Sequence, residues 1–127
     1  MSRFNAGISV IAFSIWLVAC ADLCENRVLS EIPCPTGDRA AIVFERSCGA
    51  TTGFSTHVSV VNEFGKLAKS AGNAFVADSD HGKVKEMVVT VRWVARDKLV
   101  IRYPAQARVF KQEAQADGVS VIYEAVP

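Results

Sequence analysis

Short runs rich in Val, Ile and Phe alternate along this chain with clusters of Gly, Pro, Asn and Asp. That rhythm predicts short antiparallel strands joined by turns. Pro35-Thr36-Gly37-Asp38 reads as a turn leading into a strand over 40–46, on which Ile42, Phe44 and Cys48 share parity. A second strand follows from Phe54 to Val61, with Phe54, Val58 and Val60 on one face and Ser55, His57 and Ser59 on the other. A polar excursion from Gly65 to Gly72, with room for a turn of helix, separates it from a short strand around 74–77.

The clearest alternation lies further on. Met87, Val89, Val91 and Trp93 point one way, and Val88, Thr90, Arg92 and Val94 the other. Leu99, Ile101 and Tyr103 continue the inner set on the return strand. The two inner sets meet only if paired positions sum to an even number, which brings Arg92 and Arg102 out on one outer face. Strands around 108–110 and 119–123 complete the pattern. The expected fold is all-β: one antiparallel meander sheet or partly closed barrel of six to seven short strands, with little helix.

The first nineteen residues do not belong to that pattern. Arg3 precedes an apolar, uncharged run from Ala6 to Ala19 that ends at Cys20. The run is shorter than the roughly 20 residues a transmembrane helix needs, and it has the length of a secretory hydrophobic region. Leu17-Val18-Ala19-Cys20 resembles a bacterial lipobox. The resemblance implies cleavage before Cys20 and a lipid on that cysteine. It divides the chain into a leader, 1–19, and a single domain, 20–127. Ala19-Cys20-Ala21 also satisfies an ordinary A-x-A cleavage site before Asp22, and a retained hydrophobic anchor is the third reading. Ala21 lacks the aspartate that holds many lipoproteins at the inner membrane. The expected address is therefore the outer membrane of a bacterial envelope, facing the periplasm, with the membrane as partner through Cys20.

Export changes the cysteine chemistry. Beyond Cys20 the thiols are Cys24, Cys34 and Cys48. An odd number in an oxidising compartment predicts one disulfide and one spare thiol, and three pairings are open. Cys34 sits between Pro33 and Pro35 in a stiff segment, which favours Cys24 with Cys48.

Loss of Arg3 leaves 13 basic residues against 13 acidic ones. A neutral exported domain carries no nucleic-acid footprint. The charges are uneven, however: Lys83, Lys85, Arg92, Arg96, Lys98, Arg102, Arg108 and Lys111 are interrupted only by Glu86 and Asp97. Such a run is usually a solvated face, and its functional reading is a surface for lipid headgroups or an acidic envelope partner. Arg92 and Arg102 are the candidate contact surface.

Three chemical sites compete for the remaining residues. Cys48 with His57 would make a nucleophile and base, yet Cys48 follows the parity of Ile42 and Phe44 while His57 opposes Val58, and no third group orients them. Asp78-Ser79-Asp80-His81 opens like a calcium loop but is followed by Lys83 and Lys85 rather than an acid, so a tight turn is the better account. The histidines lack zinc spacing. Neither a metal nor a cofactor is expected. The hydroxyl-rich loop from Cys48 to Phe54 offers a ligand or inhibitor surface, although such residues commonly satisfy turn backbone.

Cys24-Glu25-Asn26-x-Val28-Leu29, the Pro35-x-Gly37 turn, and Val43-Phe44-x-Arg46-x-Cys48-Gly49-Ala50-Thr51-Thr52-Gly53-Phe54-Ser55-Thr56-x-Val58-Ser59 resemble a family of small bacterial lipoproteins with no assigned activity. Asn73-x-Phe75-x-Ala77-Asp78, His81-Gly82 and Val91-Arg92-Trp93 extend the likeness. In that family the cysteines matching Cys24 and Cys48 recur, which implies that they pair. Position 34 is usually serine there, which makes Cys34 the orphan. The expectation is a non-catalytic envelope module held close to the membrane, with a small inhibitor or ligand binder as the alternative and a thiol enzyme behind both.

Overall fold

A computed structural model of the protein describes residues 23–49, 53–62 and 67–127. Among them are nine strands and no helix: β1 (Glu25–Pro33), β2 (Arg39–Ser47), β3 (Ser55–Asn62), β4 (Phe75–Asp78), β5 (Thr90–Ala95), β6 (Lys98–Pro104), β7 (Arg108–Gln112), β8 (Gln115–Ala116) and β9 (Val119–Val126). The all-β, mostly antiparallel expectation holds. The strands form two open sheets rather than one, ordered β1-β2-β3-β4-β7 and β5-β6-β9-β8, and neither closes into a barrel. The meander is also broken, because β6 and β9 run parallel. The crossover between them carries β7, which joins the first sheet, and β8.

Alternation decides the packing. Ala41, Val43, Val58, Val60, Phe75 and Ala77 line the inner face of the first sheet. Leu99, Ile101, Val119 and Val121 face them from the second. The β5–β6 hairpin has the expected register: Thr90 opposes Arg102, Val91 opposes Ile101 and Trp93 opposes Leu99, with a bulge at the turn. Trp93 then reaches the other sheet, donating its indole N–H to the carbonyl of Ile32 at 2.8 Å. Phe75 packs against Tyr103 and Tyr123 with ring centroids 5.1 and 5.9 Å apart.

A second, smaller core lies on the outer face of the first sheet. Ile42 and Phe44 belong there, and Phe44 is completely buried opposite His57, their rings 5.1 Å apart. The chain from 67 to 74, without helix, crosses over this face. Asn26 Nδ2 donates to the carbonyls of Ala68 and Ser70, at 3.1 and 3.0 Å. Asn73 uses its side-chain amide as a strand would use its backbone, accepting from Val60 N–H and donating to Val60 C=O, both at 2.8 Å. Gly72 is required at the closest approach: a Cβ there would stand 2.7 Å from the carbonyl oxygen of Val58 and 2.8 Å from that of Phe75.

Candidate functional site

At one end of the first sheet the register aligns polar side chains from all five strands. Asn26 opposes Arg46, Arg46 opposes Ser55, Ser55 opposes Asp78, and Asp78 opposes Arg108. Directly paired positions share a face. The five therefore stand in a row, two rungs inside the Cys24–Cys48 disulfide that closes the β1–β2 ladder. Arg46 Nη1 donates to Asn26 Oδ1 at 2.8 Å. Arg108 grips Asp78 with both ends of its fork, Nε to Oδ1 at 3.1 Å and Nη2 to Oδ2 at 2.6 Å. Bonding to that guanidinium holds the Asp78 carboxyl below its usual range.

The turn after β4 adds a histidine to this row. Asp78 Oδ1 accepts from Asp80 N–H at 2.9 Å, and Ser79 Oγ accepts from Gly82 N–H at 3.1 Å. Asp80, His81 and Gly82 are all left-handed, with φ of 50, 58 and 80°. Aspartate and histidine are among the side chains that tolerate this region best. The result brings His81 Nε2 within 3.4 Å of Arg108 Nη1. Arg46, Cys48, Phe54, Ser55, His81 and Arg108 are among the residues lining an open cavity of about 540 Å³ here. Phe54 is 65% exposed.

Ser55 also connects the row to the buried His57. Its hydroxyl lies 2.7 Å from His57 Nε2, while His57 Nδ1 accepts the backbone N–H of Gly72 at 2.9 Å. An acceptor nitrogen carries no proton, so the neutral ring is protonated at Nε2 and donates to Ser55 Oγ. Burial, followed by the charges of Arg46 and Lys111, lowers the His57 pKa to about 4. A serine nucleophile needs the opposite polarity, with the ring's lone pair toward the hydroxyl. This pair is built to hold the crossing segment rather than to activate Ser55.

Cys24 and Cys48 are bridged, so Cys48 offers no thiolate. Contrary to the expected parity, Phe44 and His57 are direct cross-strand partners on one face, and Cys48 lies beyond β2 and is exposed. Residues 50–52 of the hydroxyl-rich loop and the leader with Cys20 lie outside the described residues. Among the described residues Cys34 is the free cysteine, buried in the β1–β2 turn, its thiol donating to Asp38 Oδ1 at 3.0 Å and lying 3.2 Å from Thr36 Oγ1. Hydrogen bonds to its carboxylate from the Cys34 thiol and then the Thr36 hydroxyl lower the Asp38 pKa to about 2. Asp78 is claimed by Arg108 rather than presented to a cation. Arg92 and Arg102 do share the outer face of the second sheet, and Arg102 pairs with Glu124 at 3.1 Å.

No family model, curated protein or solved structure matches the chain. The Asn26–Arg46–Ser55–Asp78–Arg108 row escaped the sequence because its members come from five strands. Arg46 and Ser55 pair in a register whose positions sum to an odd number, which the alternation of the two flanking strands did not reveal.

Proposed function

We propose that this protein is an exported envelope module, anchored by lipid on Cys20, that works by binding or by support rather than by catalysis. The disulfide carries this reading. It fastens Cys24 to Cys48 at the end of the first sheet, and only three residues separate Cys24 from Cys20. At about 3.5 Å per residue the tether reaches on the order of 14 Å. A domain so held keeps one end against the bilayer and presents its sides to membrane-bound partners. The outer sheet face with Arg92 and Arg102 is the surface assigned to an envelope partner, on the outer membrane's periplasmic side. The His57 tautomer and the bridged Cys48 argue against nucleophilic chemistry at this end.

Intact mass of the membrane-extracted protein tests the anchor. A chain beginning at Cys20 and carrying acyl mass is expected; an unmodified chain beginning at Asp22 would overturn it. Replacing Arg92 and Arg102 with Glu should weaken partner capture, and unchanged capture removes that surface. The cavity beside Phe54 supports a second reading, a small inhibitor or ligand binder. Under it, saturable binding of a soluble glycan or host enzyme would disappear in Phe54→Ala while membrane attachment persisted.

A further inference from the structure

We propose that the disulfide end of the molecule is a seat for anionic lipid, in which a headgroup phosphate enters the cleft between Arg46 and Arg108 while Leu23 and Phe54 enter the bilayer interface. The proposal rests on the lipid-anchor reading and adds to it which end faces the membrane and what it recognises there.

Three independent features meet at this end. The first is apolar. Leu23 and Phe54 are 66% and 65% exposed, more than any other large apolar side chain among the described residues. Leu23 precedes the bridged Cys24 and Phe54 precedes Ser55 of the polar row, so the two flank one end of one sheet. Large apolar groups exposed together at a tethered end mark a surface that is covered in use.

The second feature is charge. Arg46 is bonded to the neutral amide of Asn26, so its guanidinium charge is not cancelled by a carboxylate in direct contact among the described residues. Each nearby acid is engaged: Asp78 by Arg108, Asp80 by Lys83 at 3.3 Å, and Glu45 by Arg27 at 2.9 Å. Glu25 lies on the opposite side of β1 from Asn26. His81, Ser55 and Ser79 add polar lining to the same cavity, and Asp78 lines it too with its charge held by Arg108. A guanidinium fork, a hydroxyl and an imidazole in one open cleft suit the oxygens of a phosphate diester.

The third feature is the tether. A reach on the order of 14 Å from the lipid-bearing residue is comparable to the polar layer of a bilayer leaflet, about 5–8 Å, plus one side chain. The disulfide end is therefore the part of the domain that the anchor brings to the headgroups first. Tethering makes seating intramolecular, so weak individual contacts suffice to populate it.

The test uses the full lipidated chain in vesicles of phosphatidylcholine alone or mixed with phosphatidylglycerol. A Phe54→Trp variant, read against the parent's own Trp93, reports immersion by a blue-shifted emission and by quenching from brominated acyl chains. Both are expected only with phosphatidylglycerol. Arg46→Gln in that background should lower the ratio of seated to unseated protein about fivefold, the worth of one cationic side chain at an anionic surface. High salt should do the same in the Phe54→Trp protein that keeps Arg46, which keeps the test valid if Arg46→Gln folds poorly. Co-flotation with neutral vesicles reads the anchor separately. A chain that floats but gives identical Trp spectra on both vesicle types overturns the seat alone; one that neither floats nor responds to lipid overturns both.

Discussion

Acid should loosen this protein before its carboxylates titrate, through His57. The ring is 3% exposed, accepts the Gly72 N–H at Nδ1, and has its pKa lowered to about 4 from an ordinary 6.5. The unfolded chain therefore binds the proton more readily than the folded one. Stability from this group is fully present above pH 6.5 and is lost as pH falls toward 4. A shift of that size corresponds to about 3 kcal/mol, at 1.36 kcal/mol per pKa unit. That is a large fraction of the 5–15 kcal/mol of a typical domain. Protonation at Nδ1 also removes the acceptor that Gly72 uses, so the loss should appear first as opening of the 67–74 crossing. Urea unfolding of the parent and of His57→Gln, stepped from pH 7 to 4, isolates the effect. The parent should lose about 3 kcal/mol more than the variant across that window. Asp38 and Asp78, with lowered pKa values, stabilise above the ordinary carboxyl range and lose their contribution only below it. Parallel pH curves for parent and variant, or a measured His57 pKa near 6.5, would refute the reasoning.

Other expectations follow from single contacts. Gly72→Ala should cost roughly 1–3 kcal/mol or more, because its Cβ meets backbone oxygens that cannot step aside; thermal denaturation measures it. Replacing Cys24 and Cys48 together by Ser should cost about 3.5 kcal/mol for a bridge of sequence separation 24, without unmasking any enzymatic activity. Cys34 should resist alkylation in the native protein and react once unfolded, since its thiol is buried and bonded to Asp38; mass spectrometry with and without denaturant decides this. Trp93→Phe should cost about 1 kcal/mol, the net worth of its bond to Ile32, read as a lowered Tm.

Much of the fold was legible because alternation is a strong signal when one face is buried. The β5–β6 hairpin, its even-sum register and the shared face of Arg92 and Arg102 all followed from Met87–Tyr103. β1 was missed because its burial is that of an edge strand: only Asn26 and Ile32 are partly covered, and Val28 and Leu29 are both exposed around its bulge. The two-sheet division was missed because pairing between β6 and β9 depends on a crossover whose strands belong to different sheets. The shared parity of Ile42 and Phe44 does not tell which core they enter, because an apolar residue does not announce which face will be covered. The 67–74 crossing buries the outer face as well, a tertiary fact with no periodicity. The same limit hid the polar row, whereas the bridge was legible from two prolines and a resemblance.

The disulfide also decides how the domain bears load. A pull on the chain ahead of Cys24 would ordinarily peel β1, an edge strand, from the sheet one rung at a time. The Cys24–Cys48 bond shunts that pull directly into β2, which is hydrogen-bonded on both sides by β1 and β3. Drawing β2 out means breaking two ladders together rather than unzipping one. Oxidised, the domain is a load-bearing fitting; reduced, it becomes a tab that tears along its first seam.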